Sequence, residues 1–364
     1  MNLTKSDVVE LLRKVKDPLA GLSIVDAHRI REIEIEGKRI RIVLVFTQNL
    51  TQEQKSSVNF GCMSAIQENV PDTDVHVHLE TQLRTGETDP GILPQVKNII
   101  AVASGKGGVG KSTVSSNLAV GLKKLGYRTG LIDADFYGPS IPTMFGLEGQ
   151  RPKLVDVHGK PKIVPLEAQG LSIISIGFIV EPDQAVVLRG PRLAGIMKQF
   201  IEECTWPELD YLVIDLPPGT GDIQLTLVQT VPLTGVVLVT TPQKVAWMDA
   251  VKAMNMFRLA SVNVPILGVL ENMAWFTPPE LPDRKYYLFG KGGGKHLAEL
   301  AGSKVLGQIP IVESIRESGD MGSPIVTNEN SELNAAWMEF ASNTVEAVEL
   351  RNKTMDPTKV VDVK

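Results

Sequence analysis

Residues 105–112 read GKGGVGKS and satisfy G-x-x-x-x-G-K-[ST] at Gly105, Gly110, Lys111 and Ser112. The apolar run Asn98 to Ala103 precedes them and a helix-like segment, Thr113 to Leu125, follows. A strand, a glycine loop and a helix in that order make a phosphate cradle. Gly105, Gly107, Gly108 and Gly110 carry no Cβ, so the loop's N–H groups, that of Val109 included, can turn inward around an anion. The start of the helix adds its positive dipole end. Lys111 is placed to reach β- and γ-phosphate oxygens, Ser112 to ligate Mg²⁺ through its hydroxyl, and Thr113 to touch the α-phosphate. The expected ligand is a nucleoside triphosphate with Mg²⁺.

Three carboxylates follow at the ends of apolar runs. Asp215 closes YLVID, where a carboxylate can hold Mg²⁺ through a coordinated water; capping of the next helix is the alternative. Asp133 and Asp135 stand two apart in DADFYGPSIP. Asp133 is read as bonding to metal-bound water and Asp135 as orienting the attacking water, with a turn-forming role as the other reading of the pair. In LPPGTGD, Gly219 and Gly221 provide a backbone that can approach a γ-phosphate and reorder on hydrolysis. Lys106 is a second lysine in the glycine loop, too early in the turn to share the phosphate contact of Lys111.

These residues need a scaffold that gathers strand ends. From Asn98 onward, NIIAVAS, TGLIDAD, LDYLVIDLP, TGVVLVTTP, VPILGVLEN and KVLGQIP alternate with helical stretches. Runs that are apolar on both faces indicate a parallel sheet covered by helices on both sides, with ligands at the carboxyl ends of its strands. Asp133, Asp135, Asp215, Thr240, Pro242 and Asn272 all fall at such ends. The expected fold is an α/β P-loop NTPase with a mostly parallel sheet, preceded by a small α/β domain. In residues 1–80 that domain shows a helix with Val8, Leu11, Leu12 and Val15 on one stripe. A hairpin around Glu36-Gly37, a second helix from about Gln52 to Gln67 and the strand DVHVHLE complete it. His76 and His78 share a face of that strand; a metal pair is conceivable, and exposed histidines without a third ligand are the plainer reading. Residues 81–97, with two Gly and two Pro, read as a linker, 98–348 as the NTPase domain and 349–364 as a C-terminal tail. GKGGGKH at Gly290 to His296 is one residue short of a second phosphate loop and lacks the hydroxyl residue, so a mobile glycine loop is expected.

Length argues for two domains, since 364 residues exceed one ordinary core. A net charge of −5 without a Lys/Arg stripe argues against nucleic acid. No apolar run approaches a membrane span, and the charged, helix-patterned start does not read as a signal peptide, so a cytoplasmic protein is expected. Cys62 and Cys204 are far apart in sequence, which argues against a disulfide framework or a self-contained metal site and for isolated buried thiols.

The motif GKGGVGKST with its extra Lys106 resembles the deviant Walker A loop of the SIMIBI ATPases, the group of MinD, ParA, the arsenite-pump ATPase and nitrogenase iron protein. Within that group, DADFYGPSIPTMFG, DLPPGTGD, LENMAWF, FGKGGG and LGQIP resemble the Mrp/ApbC iron–sulfur cluster carriers over about residues 96–340. The first 80 residues are similar to the SUF-accessory domain often fused ahead of that ATPase. The resemblance implies slow ATP hydrolysis, a homodimer and delivery of iron–sulfur clusters to apoproteins, with other assembly proteins as partners. It further implies that Lys106 reaches the partner subunit's phosphates and that Asn272 reads the adenine edge. The family usually has C-x-x-C after the segment matching Asn272 to Phe276; here Thr277-Pro278-Pro279-Glu280-Leu281 follows. A second cysteine usual after the accessory-domain hairpin is replaced by Thr47-Gln48-Asn49-Leu50. The cluster ligands are therefore left open. An ATP-dependent dimeric adaptor or MinD-like regulator is the second reading, although Pro357 and the absence of an apolar stripe in LRNKTMDPTKVVDVK disfavour a membrane helix there. A metabolic kinase is the third.

Overall fold

The computed structural model describes residues 4–18, 22–27, 29–46, 50–71, 73–81, 93–136, 138–157, 159–179, 195–196, 199–221, 224–225, 228, 231–259, 261–328 and 332–357. They form two compact units, one taking in residues up to Asp89 together with Glu349–Pro357, the other running on to Val348.

In the first unit, α1 (Lys5–Leu12) and α2 (Gln52–Gln67) pack on a three-stranded sheet of β1 (Ile30–Glu36), β2 (Arg39–Phe46) and β3 (Asp74–Thr81). Reciprocal capping boxes start both helices, Thr4 with Asp7 and Thr51 with Gln54. The expected hairpin joins β1 to β2 antiparallel through Gly37 at φ +61°, and β3 runs parallel to β2. Val8, Leu12, Ile40, Ile42, Leu44, Phe46, Val58 and Ile66 close its core. His76 lies on the exposed face with its Nε2 2.9 Å from Asp74 Oδ2. No metal-ligating group of three or more side chains occurs among the described residues.

The second unit holds an eight-stranded sheet. Its strands are β4 (Val96–Ser104), β5 (Thr129–Asp133), β8 (Leu166–Ala168), β9 (Leu171–Ser175), β10 (Leu209–Asp215), β11 (Gly235–Thr240), β12 (Ile266–Glu271) and β13 (Lys304–Gln308). A separate hairpin of β6 (Lys153–Val157) and β7 (Lys160–Val164) precedes β8. The order β13-β12-β11-β4-β10-β5-β9-β8 is parallel except for β8 on β9. Alternate residues of β4 feed opposite cores. Ile99, Ala101 and Ala103 pack with α5 (Lys244–Phe257) and α6 (Gly293–Leu300), whereas Ile100 and Val102 pack with α3 (Lys111–Lys124) and with Trp337 and Phe340 of α8 (Glu332–Thr354). Two short helices, α4 (Ile141–Met144) and α7 (Glu313–Asp320), flank the α3 side. None of the described helices is long and apolar enough to cross a membrane.

Three boundaries differ from expectation. The strand expected from Asn98 begins at Val96, inside the expected linker, because Leu93 is already buried in the sheet core; residues 82–92 lie outside the described residues. The expected tail is helical as far as Thr354. Its last turn belongs to the first unit, where the buried Arg29 pairs with Asp17 at 2.5 Å, lies over Phe46 and donates to Lys353 O at 3.4 Å. The expected glycine loop at 290–296 is a helix start: α6 begins at Gly293, with Gly293 against the Pro242 backbone and Gly294 against Glu271.

Candidate functional site

Strand β4 delivers the chain into the glycine loop, and α3 starts at Lys111 behind Gly110. Gly108 (φ +79°) and Gly110 (φ +82°) take left-handed backbone, which an L side chain resists. Gly105 is demanded by packing instead: a Cβ there would fall 2.1 Å from the carbonyl carbon of Asp249 and 2.2 Å from the nitrogen of Ala250 in α5. At Gly107 and Gly108 a Cβ would meet nothing within 4 Å, so the mouth of the loop is open. Gly105→Ala must push loop and helix apart. We expect a loss of about 3 kcal/mol, the upper part of the overpacking range, read as a Tm lower by roughly 10 °C; an unchanged Tm would show that the two backbones part freely.

The first turn of α3 converges on one carboxylate. Asp215, fully buried at the end of β10, accepts from Ser112 Oγ at its Oδ2 (2.6 Å) and from Ser115 Oγ at its Oδ1 (2.6 Å). Lys111 Nζ is 2.9 Å from Asp215 Oδ1 and 3.4 Å from Asp135 Oδ2. Burial opposes the lysine's charge, but the carboxylates of Asp215 and Asp135 outweigh it and hold the ammonium above its ordinary range. Lys111 is thus held by the acids that surround it.

Asp133 does something else. Its Oδ2 accepts from the Ser175 hydroxyl at 2.9 Å and from Ile141 N at 3.3 Å, and its Oδ1 from Asp135 N at 3.1 Å. Burial, and then the charge of Asp215, push its carboxyl up to about 7. Ser175 at the end of β9 and the loop that follows β5 thus hold the Asp133 carboxyl, and that loop carries Asp135. Asn272 follows β12 beside the cradle, its N–H donating to Thr240 O at 2.8 Å and its Nδ2 to Val109 O at 2.9 Å. Thr113 lies in the first turn of α3, its carbonyl accepting from Asn117 Nδ2. Lys106 is half-buried, and its ammonium forms no ion pair with a described residue. Gly219, at φ +94°, donates to Ser104 O at 3.0 Å, which ties the Asp215 loop to the start of the cradle.

Two residues here escaped the sequence reading. Ser115 sits one helical turn past Lys111, a spacing that points to the same face. Glu271, immediately before Asn272, is buried; its Oε1 accepts from Gly294 N at 2.7 Å and its Oε2 from Gln308 Nε2 at 2.5 Å. A carboxylate at the N-terminus of α6 suits the helix dipole. A glutamate closing an apolar strand was the available signal.

Both thiols are away from solvent, as expected. Cys62 is 0% exposed and Cys204 6%, and neither forms a disulfide. Burial pushes each thiol up to about 12, with the charge of Glu203 adding at Cys204 against Lys162.

The family model described as "NUBPL iron-transfer P-loop NTPase" matches residues 95–345, and that described as "Iron-sulfur cluster assembly protein" matches residues 5–79. The iron–sulfur cluster carrier protein of Synechocystis is 44% identical over 92% of this chain and 94% of its own length. That of Aquifex aeolicus is 43% identical over 94% and 98%. Among solved structures, the nucleotide-binding protein of Archaeoglobus fulgidus in complex with ADP aligns with a TM-score of 0.58 at 37% identity, covering 68% of this chain and 93% of that one. The P-loop, the parallel sheet and the separate small first unit agree with these matches, and the chain belongs to the NUBPL/Mrp family of iron-transfer P-loop NTPases, with an iron–sulfur cluster assembly domain at its front.

Proposed function

We propose that the chain is a cytoplasmic, homodimeric carrier that binds and slowly hydrolyses ATP while delivering iron–sulfur clusters to apoproteins. The observation that carries the ATP half is the convergence of Lys111 and Ser112 on the buried Asp215 behind open glycines. The cradle amides and the helix dipole take the phosphates, and Lys111 leaves the carboxylates for β- and γ-phosphate oxygens. Ser112 Oγ and Asp215 Oδ2, hard oxygens 2.6 Å apart, fit a magnesium site, Ser112 as direct ligand and Asp215 through a coordinated water. Magnesium, when bound, neutralises charge on the β- and γ-phosphates. Asp135, released by Lys111, orients the attacking water. The water oxygen bonds to the γ-phosphorus, the bond to the β–γ bridging oxygen breaks, and ADP, phosphate and a proton leave. Lys106, without an ion pair of its own among the described residues, is free to reach the partner subunit's phosphates. Asn272 reads the adenine edge by exchanging Val109 O for the base.

The cargo half is supported by the relatives' shared description as cluster carriers, which favours it over the regulator and kinase readings. Iron–sulfur clusters are usually held by thiolates. Neither buried thiol of this chain is presented for that purpose, so the cargo's ligands lie elsewhere. Anaerobic reconstitution with iron and sulfide, followed by metal analysis and visible absorbance, should give bound iron in the wild type and equally in the Cys62→Ala, Cys204→Ala double variant. No iron above a control protein would end the carrier reading, and loss of iron in the double variant would return the ligands to the buried thiols.

A further inference from the structure

We infer that Ser115 is a positioning residue of the nucleotide site: it holds one oxygen of Asp215 so that the other faces the water on the metal. The inference rests on the ATP reading above. Asp215 is fully buried and meets three side-chain donors from the first turns of α3: Ser112 at Oδ2, and Ser115 and Lys111 at Oδ1. Two of the three have duties on the ligand. Once Lys111 turns to the phosphates and Ser112 to the metal, Ser115 is the donor that stays. Its hydroxyl is fully buried inside the helix–sheet contact, one turn behind the cradle, with Lys111 O 3.1 Å away as its other neighbour. The short 2.6 Å contact runs from the serine hydroxyl as donor to the carboxylate oxygen as acceptor. It fixes the carboxylate's rotation about its terminal bond, a torsion that is otherwise broad. With Oδ1 pinned, Oδ2 keeps its direction toward Ser112 and the metal.

The consequence concerns metal-assisted binding rather than binding as such. A fluorescent ATP analogue titrated with magnesium and again with EDTA yields the ratio of the two affinities. Ser115→Ala is expected to lower that ratio by roughly tenfold to a hundredfold, the range for a lost hydrogen bond to a charged group, while leaving the affinity in EDTA within about twofold. On an Asp215→Asn background the serine change should have no further effect on the ratio, because the two residues act as one unit. Should Ser115→Ala fail to fold, the isosteric pair Ser115→Thr and Ser115→Val replaces it, with threonine keeping the ratio and valine losing it. An unmoved ratio in folded Ser115→Ala, an equal loss with and without magnesium, or identical behaviour of the threonine and valine variants would overturn the inference. A wild type that binds no analogue in either buffer would instead overturn the ATP reading, and this inference with it.

Discussion

Lys111→Ala abolishes nucleotide binding: titration with ATP and magnesium is expected to show an affinity at least about a hundredfold weaker than wild type, from the loss of charge-assisted bonds worth about 1.5–3 kcal/mol each. Its ammonium sits 2.9 Å from Asp215 and 3.4 Å from Asp135, where it is 6% exposed. In the proposed complex it is the cation that meets the phosphates. Alanine therefore removes the phosphate contact and leaves two carboxylates facing an incoming polyanion. Like charges repel most strongly where water is excluded. Affinity within a few fold of wild type would mean that the cradle amides alone hold the nucleotide.

Lys106→Ala separates binding from chemistry. ATP affinity should stay within a few fold of wild type, because among the described residues no hydrogen bond or ion pair joins the ammonium of Lys106 to Lys111 or the carboxylates, and its carbonyl accepts from Ser104 Oγ at 3.0 Å. Turnover should fall about a thousandfold, the lower end of the effect of a cation supplied in trans to a phosphoryl-transfer transition state. Hydrolysis by the wild type should also rise more than linearly with protein concentration at low concentration, as the proposed dimer with Lys106 acting across it requires. Unchanged turnover in the variant, or a rate per subunit independent of concentration down to nanomolar levels, would remove Lys106 from the chemistry.

Local constraints were the legible ones. Gly108 and Gly110 need positive φ, and Lys111 and Ser112 need a helix start, so sequence spacing alone locates the cradle. The strands of the sheet interior were readable because each is apolar on both faces, as β4 is between its two cores. Tertiary partners were not readable. LSIIS, which forms β9, is short and half polar, and with it went Ser175, the hydroxyl that occupies Asp133. Strand alternation separated the roles of Asp133 and Asp135 but could not name Ser175 and the backbone of Ile141 as donors to the first. The glycines of GKGGGKH looked like a loop because their real constraint, close approach to Pro242 and Glu271, involves residues more than twenty positions away in the chain. Ser115 was invisible for a related reason: a serine inside a helix is unremarked until the strand it faces is known. The end of α8 was hidden by MDP, which stops the helix just past Thr354, since the residue before a proline avoids helical backbone.

The proposed coupling is that ATP chemistry at this cradle drives movement of an iron–sulfur cargo. Its most direct test is anaerobic transfer from reconstituted protein to an apo-ferredoxin, followed by the acceptor's spectrum with and without ATP and magnesium. The coupling requires that nucleotide changes the transfer rate in the wild type and leaves Lys111→Ala unaffected. Loaded wild-type protein whose transfer rate is the same with and without nucleotide would contradict it.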